Sequence, residues 1–325
     1  MVYNILKKYC KYLVLITVPD FKRRNIVDML RITGLHKQFG DKVVLNGLDL
    51  CVPEHSVFGF IGKNGSGKTT TMKLVLGLLK IDAGEIFVNG EKVVYGQTST
   101  NSCIGYLPDV PEFYSFMTAF EYLKFCGEIA GLEKEENEAR CKELLALVGL
   151  AGENHRIKGF SRGMKQRLGI AQALLNRPKL LICDEPTSAL DPVGRKEILD
   201  VLMKAREQTT VLFSTHILSD VERICTDIAF INNGVVEVQG KLSDIKARFR
   251  GEEYNLETEN NEDIASIQEK FADMKQIGNN KLAFRESSYL ISDVLRFIAD
   301  NNIAILKLER VEPTLETLFM EVVEK

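Results

Sequence analysis

The sequence predicts an α/β protein that carries a small α+β domain at its C-terminal end. Three observations support this fold class. Apolar runs typical of buried strands alternate with segments of helical spacing from residue 56 to residue 240. A glycine-rich stretch joins the first of these runs to the first helix, and after residue 250 strands and helices follow in a different order. At 325 residues the chain is long enough for two domains, each with its own core.

The composition is that of a globular protein whose two parts differ in charge. Hydrophobic residues make up 45% and charged residues 27%, which argues against a disordered chain. From residue 251 onward there are 16 acidic and 8 basic residues, a net charge of −8, whereas the first 250 residues hold 29 acidic and 34 basic, a net charge of +5. We therefore predict a first domain at 29–250 and an acidic second domain at 251–325. The overall charge of −3 gives no sign of nucleic-acid binding.

Residues 1–28 are predicted to be an extension ahead of a domain that begins near Leu30. They are lysine-rich around the apolar run "YLVLITV" at 12–18, whose seven residues are far fewer than the ~18 to 20 needed to cross a bilayer. A signal peptide and a peripheral membrane contact are the alternatives for this segment. Seven scattered cysteines without a C-x-x-C pair favour a reducing, cytoplasmic location.

Short strands and turn signals dominate the sequence from Leu30 to Gly96. Asn46-Gly47 and Asn89-Gly90 are hairpin-favouring dipeptides between apolar residues, and we predict a hairpin at each. The run "SVFGFIG" at 56–62 reads as a buried strand that leads directly into the glycine-rich stretch. The following "TTTMKLVLGLLK" has helical spacing, so the local order is strand, loop, helix.

The later elements fall into three groups. A helical insertion is predicted at about 112–175, with Gly131 and Gly149 as C-caps. The strands "KLLICDE" and "TTVLFSTH" follow with a helix between them, and "IAFINNGVVEVQG" forms a hairpin. After residue 250 the predicted order is a strand (254–258), a helix (263–271), two strands (274–278 and 281–285), a helix (289–300), a strand (303–308) and a helix (314–323), an order typical of a ferredoxin-like domain.

The stretch "GKNGSGKTT" at 62–70 fits the P-loop pattern G-x-x-x-x-G-K-[ST]. Its glycines let successive N–H groups turn toward a phosphate, and the helix N-terminus adds partial positive charge. Lys68 is expected to reach the β- and γ-phosphates and the Thr69 hydroxyl to bind Mg²⁺. A glycine-rich surface turn is the alternative, which the strand–loop–helix context disfavours. The predicted nucleotide-binding residues of this loop are Gly62, Lys63, Asn64, Gly65, Ser66, Gly67, Lys68, Thr69 and Thr70.

Two acids and one histidine follow apolar strands. Asp184, in "LLICDEP", is placed to hold Mg²⁺ through water, and Glu185 to polarise an attacking water. His216 ends "FSTH" and can contact the γ-phosphate, because parallel strands bring their C-terminal ends to one edge. The structural alternatives are the start of a loop for the acids and a packed histidine for His216.

The segment "FSRGMKQRLGIAQALL" at 160–175 predicts a helix that begins at an N-cap, Ser161. Its free N–H groups and its dipole would attract an anion. The chain has a single P-loop, so this second anion site lacks a phosphate of its own. The sequence therefore predicts that a partner subunit supplies the phosphate for this second site.

Together these motifs resemble the nucleotide-binding subunit of an ABC transporter over residues 30–240. "GKNGSGKTT" is similar to the Walker A motif, "FSRGMKQR" to the signature, "LLICDE" to Walker B, "SALD" at 188–191 to the D-loop and "STH" to the H-loop. The resemblance implies a P-loop ATPase core with an antiparallel β subdomain and a helical subdomain. It also implies ATP and Mg²⁺ as cofactors and Phe39 as an aromatic that stacks on adenine.

The resemblance further implies how the site works. Two such subunits, identical or different, would dimerise head to tail, so that Ser161 and Gly163 contact the γ-phosphate of the partner's ATP. Glu185 would be the general base, His216 would sense the γ-phosphate, and Lys68 would join them in catalysis. Asp191 of the D-loop belongs to the nucleotide site on the same grounds.

Three residues depart from the family pattern. Phe160 replaces the leucine of the signature, Arg162 replaces its first glycine, and Asp109 replaces the Q-loop glutamine that would follow "IGYLP". Asp109 still offers oxygen to Mg²⁺ or water, so we keep it with Thr69 and Asp184 as a candidate metal ligand, although it adds negative charge near phosphates. Arg162 is a side chain that can approach the partner's nucleotide.

These features are similar to those of the branch that exports drugs, antibiotics and lipids. Its ATPases carry an acidic C-terminal extension and end near a segment like "PTLETLF" at 313–319. The resemblance implies a separate transmembrane permease and a peripheral position on the inner face of the cell membrane. The aromatic segment "PEFYSFMTAFEYLKF" at 111–125 would either dock that permease or form the core of the helical insertion.

Two other functions are considered. A soluble ABC ATPase acting on ribosomes or DNA is disfavoured by the single P-loop and by the 116-residue interval between Lys68 and Asp184, which lacks heptads. A regulator that binds ATP without turnover is disfavoured by Glu185. We expect no nucleic-acid partner.

Overall fold

The computed structural model describes residues 28–96, 99–248, 253–311 and 314–323. The extension predicted at 1–28 lies outside these residues except for Asp28. The chain divides into two compact units, one that runs to Leu242 and one from Ser243 to Glu321. The charge pattern had predicted this boundary at 250/251.

The strands of the first unit form two sheets. In chain order its described strands are β1 (Asp28–Phe39), β2 (Lys42–Pro53), β3 (Val57–Ile61), β4 (Ala83–Val88), β5 (Glu91–Lys92), β6 (Ile104–Leu107), β7 (Leu180–Asp184), β8 (Thr210–Thr215), β9 (Asp227–Asn232) and β10 (Val235–Lys241). One sheet is antiparallel with the order β2-β1-β4-β5, and the other has the order β10-β9-β3-β8-β7-β6. In the second sheet only β9 and β10 pair in antiparallel fashion.

Helices complete this unit. In chain order they are α1 (Lys68–Val75), α2 (Ala119–Ile129), α3 (Lys134–Leu147), α4 (Arg162–Ala173), α5 (Pro192–Ala205) and α6 (Leu218–Ile224), with short 3₁₀ turns at Thr100–Cys103 and Ile157–Gly159. Helix α7 (Leu242–Arg248) begins at the last residue of the unit. Among the described residues of the whole chain, no helix combines the length and apolar character needed to cross a membrane.

One apolar core joins the two sheets of the first unit to α1. Leu30 and Ile32 come from the antiparallel sheet, Phe58 and Phe60 from β3, and Met72 from α1, and each is at most 2% exposed. Burying a side chain of this size contributes about 1.5–3 kcal/mol relative to leaving it exposed. The core therefore fixes the end of β3 and the start of α1, between which the glycine-rich loop lies.

Strands β3, β8 and β7 lie side by side in the order given above and are buried along their whole length. Their continuous apolar sequences are typical of parallel strands that are covered on both faces. Ile61 pairs with Thr215, and Asp184 pairs with Ser214. The residues that follow the three strands therefore meet at one edge of the sheet, as the sequence predicted.

The predicted helical insertion corresponds to α2, α3 and α4. Thr118 and Glu121 form a capping box at the start of α2. Gly131 and Gly149 have φ values of 80° and 66° and end α2 and α3 as predicted, although the C-caps themselves are the preceding residues, Ala130 and Val148.

Helix α4 packs unusually closely on β6. A Cβ added at Gly105 of β6 would lie 2.1 Å from the Ala173 carbonyl oxygen, and one added at Gly169 of α4 would lie 2.5 Å from Leu107 Cδ1. The two glycines thus let this helix and this strand touch.

Two local predictions for the first unit are wrong. Asn46-Gly47 lies inside β2, and the chain reverses at Gly40 and Asp41 instead. Gly47, with φ of 76°, sits where the β1–β2 register shifts, because a left-handed glycine serves a β-bulge as well as a turn. The helix predicted from "TTTMKLVLGLLK" ends at Val75, just before Gly77, which has φ of 66°.

The Asn89-Gly90 hairpin is confirmed between β4 and β5, with φ values of 50° and 81° at the two turn residues. The predicted hairpin in "IAFINNGVVEVQG" is confirmed as β9 and β10.

The second unit has the predicted order of elements. They are β11 (Glu253–Thr258), α8 (Glu262–Lys270), β12 (Lys275–Gly278), β13 (Lys281–Arg285), α9 (Ile291–Asp300), β14 (Ile305–Arg310) and α10 (Leu315–Val323). The four strands form an antiparallel sheet in the order β12-β13-β11-β14, which confirms a ferredoxin-like arrangement. Leu256, Leu282 and Val294 are fully buried in its own core.

Candidate nucleotide-binding and catalytic site

The glycine-rich loop occupies the turn from β3 to α1. Gly65 and Gly67 have φ values of 83° and 111°, a region that favours glycine. A Cβ added at Gly62 would lie 2.6 Å from the Ile231 carbonyl oxygen, so this position also leaves no room for a side chain. The backbone can therefore curl tightly at the N-terminus of α1, an arrangement that suits an anion.

Lys68 lies inside this loop. Its side chain is 5% exposed, and its ammonium group donates hydrogen bonds to the carbonyl oxygens of Gly62 at 2.7 Å and Lys63 at 3.2 Å. Lys68 Nζ is also 3.3 Å from Glu185 Oε1. The loop thus holds a buried positive charge that a phosphate oxygen would meet with a charge-assisted hydrogen bond.

The other predicted loop residues face the outside to different degrees. Lys63, Asn64, Gly65 and Thr69 are exposed, and Ser66 and Thr70 are half-buried. Ser66 Oγ has no hydrogen-bond partner among the described residues. Hydroxyl groups on either side of Lys68 are therefore placed to bind a ligand at the loop.

Ser214 positions both acids at the end of β7. Its hydroxyl donates to Asp184 Oδ1 at 2.6 Å and accepts a hydrogen bond from the backbone N–H of Glu185 at 2.9 Å. Ser214 is fully buried. The sequence motif contains this residue, but no role was predicted for it, because the role arises from the pairing of β7 with β8.

The carboxylate of Glu185 lies between Lys68 and His216. Its Oε2 is 2.9 Å from His216 Nδ1, and its Oε1 faces Lys68 at the distance given above. The side chain of Glu185 is 13% exposed, whereas that of His216 is 46% exposed. The three predicted catalytic residues therefore come together at the edge of the sheet, with Glu185 at their centre.

Phe39 presents its ring at the end of β1 and is 47% exposed. Lys37 Nζ lies 5.1 Å from the centroid of this ring, a cation–π contact. Lys37 in turn donates hydrogen bonds to the Lys80 carbonyl oxygen and to Asp82 Oδ1, both at 2.8 Å. Sequence reasoning missed Lys37, although alternate residues of a strand share a face.

The signature segment lies apart from the chain's own loop. Ser161 is exposed and caps α4 by accepting a hydrogen bond from the Met164 N–H at 3.2 Å, which confirms the predicted N-cap. A Cβ added at Gly163 would meet no heavy atom closer than 3.9 Å. Asp191 caps α5 by accepting from the Gly194 N–H at 3.0 Å. Within the described ranges, no hydrogen bond or ion pair joins these residues to the P-loop.

Asp109 follows β6 and contacts α4. Its Oδ1 is 3.7 Å from Arg162 Nη2, and its carbonyl oxygen accepts a hydrogen bond from Gln166 Nε2 at 2.6 Å. Burial raises the pKa of the Asp109 carboxyl; the positive charge of Arg162 opposes this, and the negative charges of Asp184 and Glu185 add to it. The role predicted for Asp109 at a metal thus remains a prediction, and the contact of Gln166 was not foreseen.

The aromatic segment before α2 divides between core and surface. Phe113 packs edge-on against Tyr122 with ring centroids 5.1 Å apart, whereas Tyr114 is 52% exposed and Phe116 is 61% exposed. Met117 is half-buried. The segment therefore combines the two alternatives that the sequence left open, a core contact and a free apolar surface.

Comparison with known proteins shows which family the chain belongs to. A family model described as ABC transporter matches residues 45–188, and one for the C-terminal domain of DrrA1-3-like ATP-binding proteins matches 240–323. The ABC transporter ATP-binding protein YxlF of Bacillus subtilis is 44% identical over 219 residues, which cover 67% of this chain and 72% of the relative. The chain belongs to the ABC transporter ATP-binding proteins. It is an ATP-binding ATPase subunit, since this family hydrolyses ATP to power transport together with transmembrane permease components.

Relatives that align with this chain over almost their whole length include antibiotic transport and resistance proteins. The bacitracin transport ATP-binding protein BcrA of Bacillus licheniformis is 34% identical and covers 91% of this chain and 97% of its own length. The linearmycin resistance ATP-binding protein LnrL of Bacillus subtilis is 31% identical and covers 90% and 97%. A solved ATP-binding subunit of an ABC transporter matches with a TM-score of 0.61 and 32% identity, over 68% of this chain and 93% of that one. The predicted fold class is thereby confirmed.

Replacing Lys68 with alanine should weaken ATP binding, because the charge-assisted contact with phosphate is lost. Such contacts contribute about 1.5–3 kcal/mol, so we expect the Kd for ATP to rise about 10- to 150-fold in equilibrium dialysis. Lys73→Ala, which removes an exposed lysine from the same helix, is the matched control. An unchanged Kd for Lys68→Ala would contradict the role of this residue.

Replacing Ser214 with alanine should slow hydrolysis, since Asp184 and Glu185 lose the hydroxyl that they share. Leaving such buried groups unsatisfied costs about 1–3 kcal/mol, and we expect kcat to fall about 5- to 150-fold with little change in ATP affinity. Thr215→Val is the control, because Thr215 is a fully buried hydroxyl residue on the same strand that bonds the Ile217 N–H instead. Equal losses of kcat in the two variants would mean that Ser214 acts through stability alone.

Proposed function

We propose that this chain binds and hydrolyses Mg–ATP in a head-to-tail dimer and thereby drives export through a separate membrane permease. The substrate class is a drug, antibiotic, peptide or lipid-like molecule, and the chain works peripherally on the inner face of the cell membrane. The observation that carries the proposal is the cluster of Lys68, Glu185 and His216 at the P-loop. It brings a phosphate-binding cation, a carboxylate base and a histidine to one point.

The chain's own residues divide the catalytic work. Water attacks the terminal phosphorus of bound ATP, the bond from this phosphorus to the β–γ bridging oxygen breaks, and ADP and phosphate are the products. Lys68 exchanges its carbonyl and carboxylate partners for phosphate oxygen and stabilises the charge that develops there. Glu185, then free of Lys68, accepts the proton of water at a carboxylate oxygen, and His216 orients that carboxylate through Nδ1.

The residues present fit a magnesium ion. Mg²⁺ prefers oxygen ligands, keeps several waters, and is held by only one or two protein groups together with phosphates. Thr69 offers an exposed hydroxyl, and Asp184 and Asp109 offer carboxylates. Among the described residues, no group of three or more histidine, cysteine or acidic side chains is placed to hold a metal. A few-ligand site that phosphate completes is therefore the arrangement we propose.

The tip of α4 supports the dimer. Ser161 and Gly163 stand at the N-terminus of a helix of 12 residues, where free N–H groups and the helix dipole attract an anion. Among the described residues they make no hydrogen bond or ion pair with the P-loop of the same chain, which supports a phosphate supplied by another subunit. Asp191 is the N-cap of α5.

Export is supported by the second unit and by the relatives. The match to a DrrA1-3-like C-terminal domain covers residues 240–323, and the relatives named for bacitracin transport and linearmycin resistance align along almost their whole length. Tyr114 and Phe116 provide an exposed apolar surface on the helical insertion. Such a surface suits the docking of a permease.

Replacing Glu185 with glutamine should retain ATP binding but abolish turnover, because the amide cannot accept the proton of water. General base catalysis contributes about 100- to 10,000-fold, so we expect the rate of phosphate release to fall by that factor. Light scattering should show an ATP-dependent dimer that persists. Glu207→Gln changes an exposed glutamate on the surface and is the control. Turnover at the parental rate would contradict the assignment of Glu185.

Export itself is testable in a susceptible bacterial host. The chain would be expressed with the membrane protein encoded by the neighbouring gene, and growth would be measured against a panel of antibiotics that includes bacitracin and linearmycin. We expect resistance to at least one compound, and we expect Glu185→Gln to remove it. Resistance that survives Glu185→Gln would contradict the coupling of hydrolysis to export.

A further inference from the structure

Two residues that depart from the family pattern, Arg162 and Asp109, lie close together in the structure. Arg162 Nη2 lies 3.7 Å from Asp109 Oδ1, although the residues are far apart in the chain. Both side chains are about half exposed, at 46% and 47%. Asp109 Oδ1 itself is buried and, among the described residues, has no hydrogen-bond partner, so Arg162 meets it as an ion pair without a hydrogen bond. Ion pairs between half-exposed side chains contribute little to stability, so we expect the effect of this pair at the nucleotide site.

A separate, buried contact fixes the segment that carries Asp109. Gln166 is 1% exposed and donates to the Asp109 carbonyl oxygen at 2.6 Å. Gly169 of the same helix packs against Leu107 and Pro111 on either side of Asp109. The backbone at Asp109 is thus attached to α4 whether or not Arg162 is present, and Arg162 contacts only the carboxylate.

Asp109 adds a third carboxylate to a site that must receive a polyphosphate. Its ionised form interacts unfavourably with Asp184 and Glu185, and Arg162 acts in the opposite direction. Lys68 is already paired with Glu185, and Ser214 with Asp184. Among the described residues, Arg162 is the cation that the structure pairs with Asp109.

We propose that Arg162 and Asp109 are mutually dependent positioning residues. Arg162 holds Asp109 Oδ1 toward the tip of α4 and compensates the charge, so that the nucleotide site tolerates an acid at this position while the other carboxylate oxygen stays available to Mg²⁺ or water. Asp109 and Arg162 then form one charge-compensated pair, and their two departures from the family pattern depend on each other. This inference rests on the ATPase function proposed above and concerns the same site.

The alternative is that Arg162 acts only on the nucleotide of a second subunit. In that case Asp109 would be irrelevant to the effect of removing Arg162. If the two residues are mutually dependent, the effect of removing Arg162 must change when Asp109 loses its charge. Contacting residues show such non-additivity by roughly 2- to 150-fold, whereas independent residues do not.

A double-mutant cycle tests the proposal. The parent, Arg162→Gln, Asp109→Asn and the double variant would be prepared, and the Kd for a non-hydrolysable ATP analogue in the presence of Mg²⁺ would be measured by equilibrium dialysis of each full-length chain. We expect Arg162→Gln to raise Kd about fivefold or more in the parent, since coupling energies of 1 kcal/mol correspond to about this factor. In the Asp109→Asn background the same substitution should change Kd little.

Three controls accompany this cycle. Arg162→Lys keeps the charge and should restore most of the affinity. Arg177→Gln breaks another exposed ion pair, that of Arg177 with Glu136 at 2.6 Å, and should leave Kd unchanged. Thermal unfolding without nucleotide should show that all variants fold, because Gln166 and Gly169 keep the segment in place.

The same factor for Arg162→Gln in both backgrounds would overturn the proposal. So would an Arg162→Gln variant with the parental Kd. Neither result would touch the loss of turnover expected for Glu185→Gln, so failure of this inference can be told apart from failure of the proposed ATPase function.

Discussion

The parallel pairing of β3, β8 and β7 determines where every reactive group of this ATPase subunit can lie. The three strands are buried along their whole length, and the polar side chains that they contribute to the site, Asp184 and Ser214, lie at or next to their C-terminal ends. Because the strands are parallel and adjacent, those ends form one row. Slipping β7 by one residue would turn its side chains to the opposite faces and would break the contacts of Asp184 and Glu185 with Ser214.

Charge compensation is the second constraint. A buried ion is costly unless it is paired or hydrogen-bonded, and Glu185 Oε1 has the ion pair with Lys68 without a hydrogen bond. Lys68 has two carbonyl oxygens and Glu185, while Asp184 has the hydroxyl of Ser214. The fold thus holds these groups together, and in the proposed mechanism a phosphate would replace the partners that Lys68 has in this structure.

Much of this arrangement followed from the sequence, because the motifs are contiguous and the rule for parallel strands requires only their order. The P-loop, the acids after β7 and His216 could be assigned to one edge in that way. The order of elements in the second unit also followed, although the start of α9 and the bounds of β14 were predicted two residues too early.

The remainder depends on contacts between distant segments. Ser214 acquires its role only when β8 pairs with β7, and Arg162 reaches Asp109 only when α4 packs on β6. The Asn46-Gly47 hairpin was wrong because a glycine with positive φ suits both a turn and a bulge, and only the register of β1 and β2 decides between them. The roles of the individual site residues stay predictions until they are measured.

Glu185 adopts a backbone conformation that is unfavourable for its side chain. Its backbone has φ of 47°, in the left-handed region where a side chain larger than that of glycine or asparagine is disfavoured by about 1–2 kcal/mol. The same turn aims the carboxylate at His216 and Lys68. Glycine would suit this backbone better but could not take a proton, so the proposed base would come at a cost to the stability of the folded state.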